Sequence, residues 1–527
     1  MRKISLLFML VLGSLLSQTF ADVTYYVSPN GDDLNNGTSI ATAYRTVAKA
    51  ATKLVDATPT TIYLEQNATF DVIAPNSIII GINKKVTIIG KNTTLKAGDK
   101  PYLGNRIITI GQNTDAKIVG VVFRNGCTRD GIPGGALFFE GNKLEIDSCT
   151  FINNEANNSG GAIASRGKDV ILTNTVFDAN RIFGGYASSA VIYQCGLPNG
   201  GLPGSLIIRS CAFTNNESKA DARGDLIGFF HSYRGSLYPH LYTNVNYFEL
   251  TNCLFKDNVA GISPSVRPAA SDIYINGVRE DFEMNLVNNT FYKTKAIAIP
   301  FFIGTPYRMV NNLFYNNQDF TIMSSNTSDE RDPVVAYNNV FVGPLGVNVN
   351  DPALTTEKVK YGNQFIDELS QLGLTPRLET ADSYVPYIPI TSETSVLINK
   401  GLLSTVGLVG FNKELIPATD MRGVAVNGSA KDVGSFEFTL TTGLLNPTAN
   451  TPKLFVVSCD GENAIVKNLS NKVLTLEIRL LDGRTVYSAK ITNELSIKRS
   501  ELEIPNGVLI FTANDGLASQ SIKTILF

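Results

Sequence analysis

Between residues 140 and 340 apolar and polar positions alternate in short runs, and each run ends on a similar phrase: TFINN, VFDAN, AFTNN, LFKDN, LFYNN. Aligned on its Phe, the phrase places Phe123, Phe151, Phe177, Phe213, Phe255, Phe291, Phe314 and Phe341 at separations of 28, 26, 36, 42, 36, 23 and 27 residues. Seven and five residues before the Phe stand Leu144 and Ile146, Val170 and Leu172, Leu206 and Ile208, Phe248 and Leu250, Met284 and Leu286, Tyr307 and Met309, Val334 and Ala336. Glu145, Asp147, Thr173, Arg209, Glu249 and Arg308 fall between or beside them. A period of two with one apolar side is a strand with one buried face.

The unit of about 23 to 28 residues is too short for a helical hairpin and suits one turn of a β-solenoid, with the longer gaps holding inserted loops or an extra turn. Three residues before the Phe stand Ser148, Asn174, Ser210, Asn252, Asn288, Asn311 and Asn338; three after it stand Asn154, Asn180, Asn216, Asn258 and Asn317. Asn and Ser tolerate tight bends, and stacked amides can satisfy the backbone groups that a bend strands. Both sets are expected to form the corners of the coil. Cys149, Cys211 and Cys253 share the position two before the Phe, which reads as buried stacking of a small apolar side chain.

These phrases, with GGAL at 134–137 and GGAI at 160–163, resemble the repeats of chlamydial polymorphic outer-membrane proteins, and the body resembles a right-handed parallel β-helix of the pectate-lyase-like superfamily. The start, YYVSPNGDDLNNGTSIATAYRTVAKAATKL, is similar to the opening of secreted bacterial β-helices. Ala43, Val47, Ala50 and Leu54 fall there at helical spacing, which implies a helix over 42–54 capping the first coil. Farther on, 394–401 and 420–438 resemble a closing segment ending in Asp-x-Gly-x-x-Glu, at Asp432, Gly434 and Glu437. Its expected role is to close the last coil.

GLLNPTANTP at 443–452 breaks the repeat phase and reads as a linker. From Lys453 the chain alternates strongly around an Asp482-Gly483 hairpin signal, as a small β-sandwich would. LLDGRTVYS, PNGVLIF and a terminal IKTIL resemble the C-terminal sorting domain of the Bacteroidetes type IX secretion system. Leu509 stands where that pattern usually has an aromatic, and the chain ends in Phe527 rather than Lys. The expected organisation is a signal peptide at 1–21, a β-helix at 22–442 and a sorting domain at 453–527.

The first 21 residues have a basic start, an apolar run of about a dozen residues and a small residue at Ala21, the pattern of a secretory leader. An exported chain, outside the cell or on the outer-membrane surface, is the implied location. With 45 basic and 47 acidic residues, a net charge of −2 offers no electrostatic ground for a nucleic-acid partner. Six Cys in 527 residues are not a disulfide framework.

Chemistry is harder to place. The pectate-lyase-like resemblance implies a groove suited to a polysaccharide, yet the sequence lacks Gly-His-Gly, and its one Asp-Asp pair, at 32–33, lies far from its one Arg-x-Lys, at 166–168. The insertion KADARGDLIGFFHSYRGSLYPHLYTN holds Lys219, Arg223, His231, Tyr233 and Arg234 as candidate catalytic residues and Tyr238 and His240 as candidate ligand contacts. Arg267 and Arg279 in neighbouring insertions could join them. A solvated loop would be equally polar. Asp32, Asp33 and Asn35 in GDDLNNG offer oxygen ligands for calcium, or the polar groups of a plain turn; no other cofactor is expected. Two readings follow: a non-catalytic surface protein that binds glycan or a host surface and engages the secretion machinery through its last domain, or a polysaccharide lyase using the 219–240 insertion.

Overall fold

A computed structural model of the chain describes residues 22–73, 77–99, 105–129, 131–183, 189–194, 204–218, 226–230, 245–259, 273–276, 283–293, 297–301, 307–315, 335–342, 361–366, 369–374, 378–380, 383–392, 394–408, 411, 413–426, 430–438, 455–459, 463–469, 472–480, 485–498, 507–514 and 519–526. The chain divides into two compact units, Met1–Phe438 and Thr439–Phe527. Strands are the dominant regular elements among the described residues, and helices are few and short.

In the first unit each pass of the repeat lies in parallel register on the one before. Lys143–Asp147 pairs with Asp115–Arg124 on one side and with Asp169–Thr173 on the other. From there the chain runs through Thr150–Ile152 in the same sheet, Glu155–Ala156 in a second and Ile163–Ser165 in a third, then rejoins the first at Asp169. Among the described residues these parallel sheets hold 20, four and eight strands. The inward residues expected from the alternation, Leu144, Ile146, Val170, Leu172, Leu206, Ile208, Phe248, Leu250, Met284 and Leu286, are all buried.

The repeat Phe residues form one column. Neighbouring rings from Phe123 to Phe341 stack with centroids 4.5 to 5.1 Å apart and planes within 16°. The strand spacing of about 4.8 Å sets that separation. The register extends in both directions: Phe70 and Leu95 precede Phe123, and Phe365 follows Phe341.

The corners are left-handed. Ser148, Asn174, Ser210, Asn252, Asn288, Asn311 and Asn338 all have φ between 49° and 57°, a region that Asn enters more easily than most residues. A second left-handed corner follows the Phe at Asn153, Ala179, Asn215, Asp257 and Lys293. Here the backbone leaves the sheet ladder, and its inward groups need side-chain partners.

Asn154, Asn180, Asn216 and Asn258 supply them just after the second corner. Asn180 Oδ1 accepts the Asn154 N–H at 3.1 Å, Asn216 Oδ1 the Asn180 N–H at 2.9 Å, and Asn258 Oδ1 the Asn216 N–H at 3.0 Å. Each Nδ2 in turn donates to a Phe carbonyl of the preceding pass, such as Asn216 to Phe177 at 2.9 Å. Asn317 lies outside the described residues.

A second inward column, two residues before the Phe, changes chemistry along its length. Cys149, Thr175, Cys211 and Cys253 give way to Asn289, Asn312, Asn339 and Asn363. Most of these side chains do the same work. Cys149 Sγ accepts from Val121 N at 3.5 Å, Thr175 Oγ1 from Cys149 N at 3.4 Å, and Asn289 Oδ1 from Cys253 N at 2.9 Å. The thiols are free and buried, and burial pushes the Cys149 thiol up to about 12. They are therefore hydrogen-bonding members of a ladder as well as small apolar fillers.

The segment from 383 to 438 lies elsewhere than a closed last coil. It packs against the outward side of the large sheet, where Ala212, Leu254, Leu313 and Val340 share a buried cluster with Val385, Tyr387, Ile388, Leu397, Met421, Val433 and Phe436. The corner amides hold it: Asn252 Nδ2 donates to Thr419 O at 2.8 Å, and Asn311 exchanges two bonds with Leu402 at 2.8 and 2.9 Å. At Gly434, φ is 102° and an added Cβ would sit 2.7 Å from Thr290 Oγ1, so only glycine fits. The physical reason for the placement is that the outward positions just before the Phe are largely apolar in these passes and must be covered.

At the start, the α-helix is shorter than expected, spanning Val47–Ala51 after a 3-10 turn at Ile40–Thr42. Thr46 caps it by accepting from Lys49 N at 3.1 Å, and Ala43, Val47, Ala50 and Leu54 are all buried. In the second unit, Phe455–Cys459, Asn463–Asn468 and Glu494–Lys498 form one antiparallel sheet; Leu474–Leu480, Thr485–Ile491, Gly507–Asn514 and Ser519–Leu526 form another. Their shared core includes Phe455, Val466, Leu476, Ile478, Ile497 and Phe511. The 443–452 stretch lies outside the described residues.

Phe177→Ala should lower stability by about 3–5 kcal/mol, since it removes a ring stacked on both sides. Asn216→Ala, which orphans the Asn180 N–H and the Phe177 carbonyl, should cost about 2–3 kcal/mol. Urea unfolding of the two variants against the parent chain checks both values.

Candidate functional site

The outward face of the large sheet is uncovered over its first strands. Along it, Pro59, Lys85, Asp115, Lys143 and Asp169 occupy one row across successive strands, and Thr61, Thr87, Lys117 and Glu145 the next. Outward side chains stand on both rows because each strand alternates exposed and buried positions, as in Pro59–Leu64 and Lys143–Asp147.

These rows line a groove of about 340 Å³, bordered by Asp22, Thr61, Lys85, Thr87, Asp115, Lys117, Lys143 and Glu145. Three cations and three carboxylates share it. Glu145 pairs with Lys143 and lies 3.9 Å from Lys117 Nζ; both lysines stay about half exposed, at 48% and 49%. One outward position farther along, Tyr63 stacks on Tyr26 with centroids 5.6 Å apart, and Tyr63 remains 40% exposed. Charged donors and acceptors beside an exposed aromatic pair can hydrogen-bond and pack a sugar.

Later on the same face a second cluster is closed on itself. Glu249 accepts from Arg209 Nη2 at 3.0 Å and from Tyr247 Oη at 2.7 Å. Glu283 accepts from Asn285 Nδ2 at 3.0 Å and lies 3.1 Å from Arg308 Nη1 and 3.6 Å from Lys413 Nζ. Burial opposes ionisation of Glu249, but the bonds from Arg209, Tyr247 and Thr251 outweigh it and hold the carboxyl below its ordinary range. Burial, reinforced by Glu249, pushes the Tyr247 phenol well up. An ion-paired carboxylate and a firmly protonated phenol are not poised to take a carbon-bound proton at neutral pH.

The Asp-x-Gly-x-x-Glu phrase contributes a third, buried concentration of charge. Lys431 Nζ donates to Pro417 O at 2.9 Å and Thr419 O at 3.0 Å, and lies 3.5 Å from Glu437. Arg422 bonds Asp420 at 2.7 Å and lies 3.9 Å over the Phe436 ring. Asp432 accepts from Asn399 N at 2.8 Å. Burial pushes the Glu437 carboxyl up against the pull of Lys431, and Asp432 and Asp420 add to the rise, to about 7.

Lys219, Arg223, His231, Tyr233, Arg234, Tyr238, His240, Arg267 and Arg279 lie outside the described residues. By chain connection, the first insertion re-enters the large sheet at Val245, two residues before Tyr247, and the next at Glu283. Asp32, Asp33 and Asn35 are described, and their polar groups are engaged in turn and cap bonds. Asp33 Oδ1 accepts from Arg45 N and Thr46 N at 2.9 Å and Oδ2 from Thr46 Oγ1 at 2.8 Å; Asp32 Oδ1 accepts from Leu34 N at 3.0 Å; Asn35 Nδ2 donates to Ala43 O at 3.1 Å. The groove itself was not anticipated, although Lys85, Asp115, Lys143 and Asp169 recur at the same outward position of successive strands.

No protein-family model matches the chain, and no curated protein does. Among solved structures it is similar to a rhamnogalacturonan lyase, at 13% identity and a TM-score of 0.27, covering 60% of this chain and 87% of that one. It is also similar to XylC in complex with xylose, at 10% identity and a TM-score of 0.35, covering 79% of this chain and 98% of that one. At such low identities and TM-scores, neither likeness says what this chain does.

Glu437 gives the first unit a pH dependence. Its folded value of about 7 exceeds the ordinary 4.5, so its own contribution to stability is fully present below about pH 4.5 and is lost as pH rises through 7. Glu437→Gln should flatten that slope, relieving about 3 kcal/mol at pH 8. Melting temperatures of both forms from pH 5 to 8 provide the check.

Proposed function

We propose that this chain is an exported, non-catalytic surface protein built on a right-handed parallel β-helix with an N-terminal capping helix. In this reading it holds extracellular polysaccharide on the outward face of its first coils. The observation that carries the proposal is the groove bordered by Thr61, Lys85, Asp115, Lys117, Lys143 and Glu145. It is open, polar and beside the Tyr26–Tyr63 pair. A polymer lying across successive strands would meet a hydrogen-bonding side chain at each step of about 4.8 Å.

Support for binding without turnover comes from the neighbouring ionisable groups. Tyr247 and Glu249 are held away from the range in which either would accept a proton near neutrality. The last domain, with its LLDGRTVYS and PNGVLIF phrases, would deliver the protein to the outer surface by engaging the secretion machinery. The leader at 1–21 would start that export.

The full exported chain should be retained by immobilised extracellular polysaccharide without generating unsaturated products. Ultraviolet absorbance during incubation with pectin, alginate and glycosaminoglycans measures the second part. Sustained product formation, abolished by Lys219→Ala or His231→Ala, would establish the lyase reading instead. Removing 453–527 should leave the protein in the cell envelope, as fractionation of the producing cells would reveal.

A further inference from the structure

We infer that the polymer held in this groove is an uncharged, hydroxyl-rich polysaccharide and not a polyanion. This rests on the reading of the outward face as a glycan-binding surface and adds the chemical class of the ligand. The groove carries Lys85, Lys117 and Lys143 against Asp22, Asp115 and Glu145, a balance of zero. The signs also alternate locally. Lys85, Asp115 and Lys143 follow one another across neighbouring strands, and Lys117 and Glu145 repeat the alternation in the next row.

Distance decides what such a pattern can attract. Opposite charges recur about every 4.8 Å, within the screening length of about 8 Å at physiological ionic strength. A chain of carboxylates or sulfates laid on these rows would meet a carboxylate for every ammonium, so attraction and repulsion largely cancel. A sugar hydroxyl has the opposite relation to the surface. It donates and accepts at once, and adjacent ammonium and carboxylate groups such as Lys117 and Glu145, 3.9 Å apart, satisfy both roles. Thr61 and Thr87 add hydroxyls to the same row, while the half-exposed Tyr63 ring offers apolar surface to the C–H groups of a pyranose.

Affinity electrophoresis of the full exported chain in gels cast with dextran, xylan or mixed-linkage glucan, and in parallel gels with polygalacturonate, alginate or hyaluronan, tests the assignment. At least one uncharged polymer should retard the protein, with an affinity changing less than about twofold between low and high salt. Lys117→Ala and Glu145→Ala should each weaken retardation about tenfold, the loss expected for a hydrogen bond to a charged group. Thermal melting separates that loss from unfolding; should either variant melt early, Lys117→Gln replaces it, with the same expected weakening. Retardation by anionic polymers alone, falling steeply with salt, overturns the inference and leaves the surface reading standing. Uncharged polymers bound as well by the variants as by the parent also overturn it, as does a change in sedimentation showing that the groove joins two copies of the chain. Retardation by no polymer of either class overturns both readings.

Discussion

The first unit depends on how a chain can turn a corner inside its own core. A strand in a sheet has its N–H and C=O groups answered by neighbouring strands, and that answer stops at each bend. Left-handed residues such as Asn174 and Ala179 make the bends short, and the groups they turn inward meet no water. One buried side chain just past each bend resolves the problem by accepting from the pass before and donating to it. Without those side chains the Phe column would have no closely spaced strands to stack on. The hydrophobic core and the polar ladders are therefore interdependent.

The same logic explains where the polar and apolar parts of the surface lie. In early passes the outward positions are Lys, Asp, Glu and Thr, and the face stands open. Beyond the bend, the outward positions beside the Phe column include Ala212, Leu254, Leu313 and Val340, and the 383–438 segment covers them. Covering that side brings its own cost, because the segment carries Asp420, Asp432, Glu437, Arg422 and Lys431 into a buried site where three acids face two bases. Burial and two neighbouring acids leave Glu437 with a raised affinity for its proton.

Much of the fold was legible because the core records itself at fixed intervals: the Phe positions and the apolar residues seven and five before them mark the same inward sites on every pass. The ladder after the Phe was legible too, since Asn154, Asn180, Asn216 and Asn258 repeat without substitution. The ladder before it was harder to see, because Cys253 and Asn289 look chemically unrelated until their shared acceptor role is visible. The covering segment was missed for a different reason. Its signal lay in the outward positions just before the Phe, where Ala212, Leu254, Leu313 and Val340 are separated by whole passes. The groove follows the same rule, since its charged rows exist only once strand register is known; the insertion residues singled out for chemistry lie outside the described part of the chain.

The left-handed corners and their inward partners have an implication for how such a chain lengthens or shortens over generations. Along both ladders an inward side chain such as Asn180, Asn216 or Asn312 serves the pass before it and is served by the pass after. Gain or loss of one whole unit leaves each donor matched with an acceptor, whereas a fragment of a unit strands both ends of the seam. Loops between sheets escape this bookkeeping, which is why spacings as different as 23 and 42 residues coexist on a single aromatic stack.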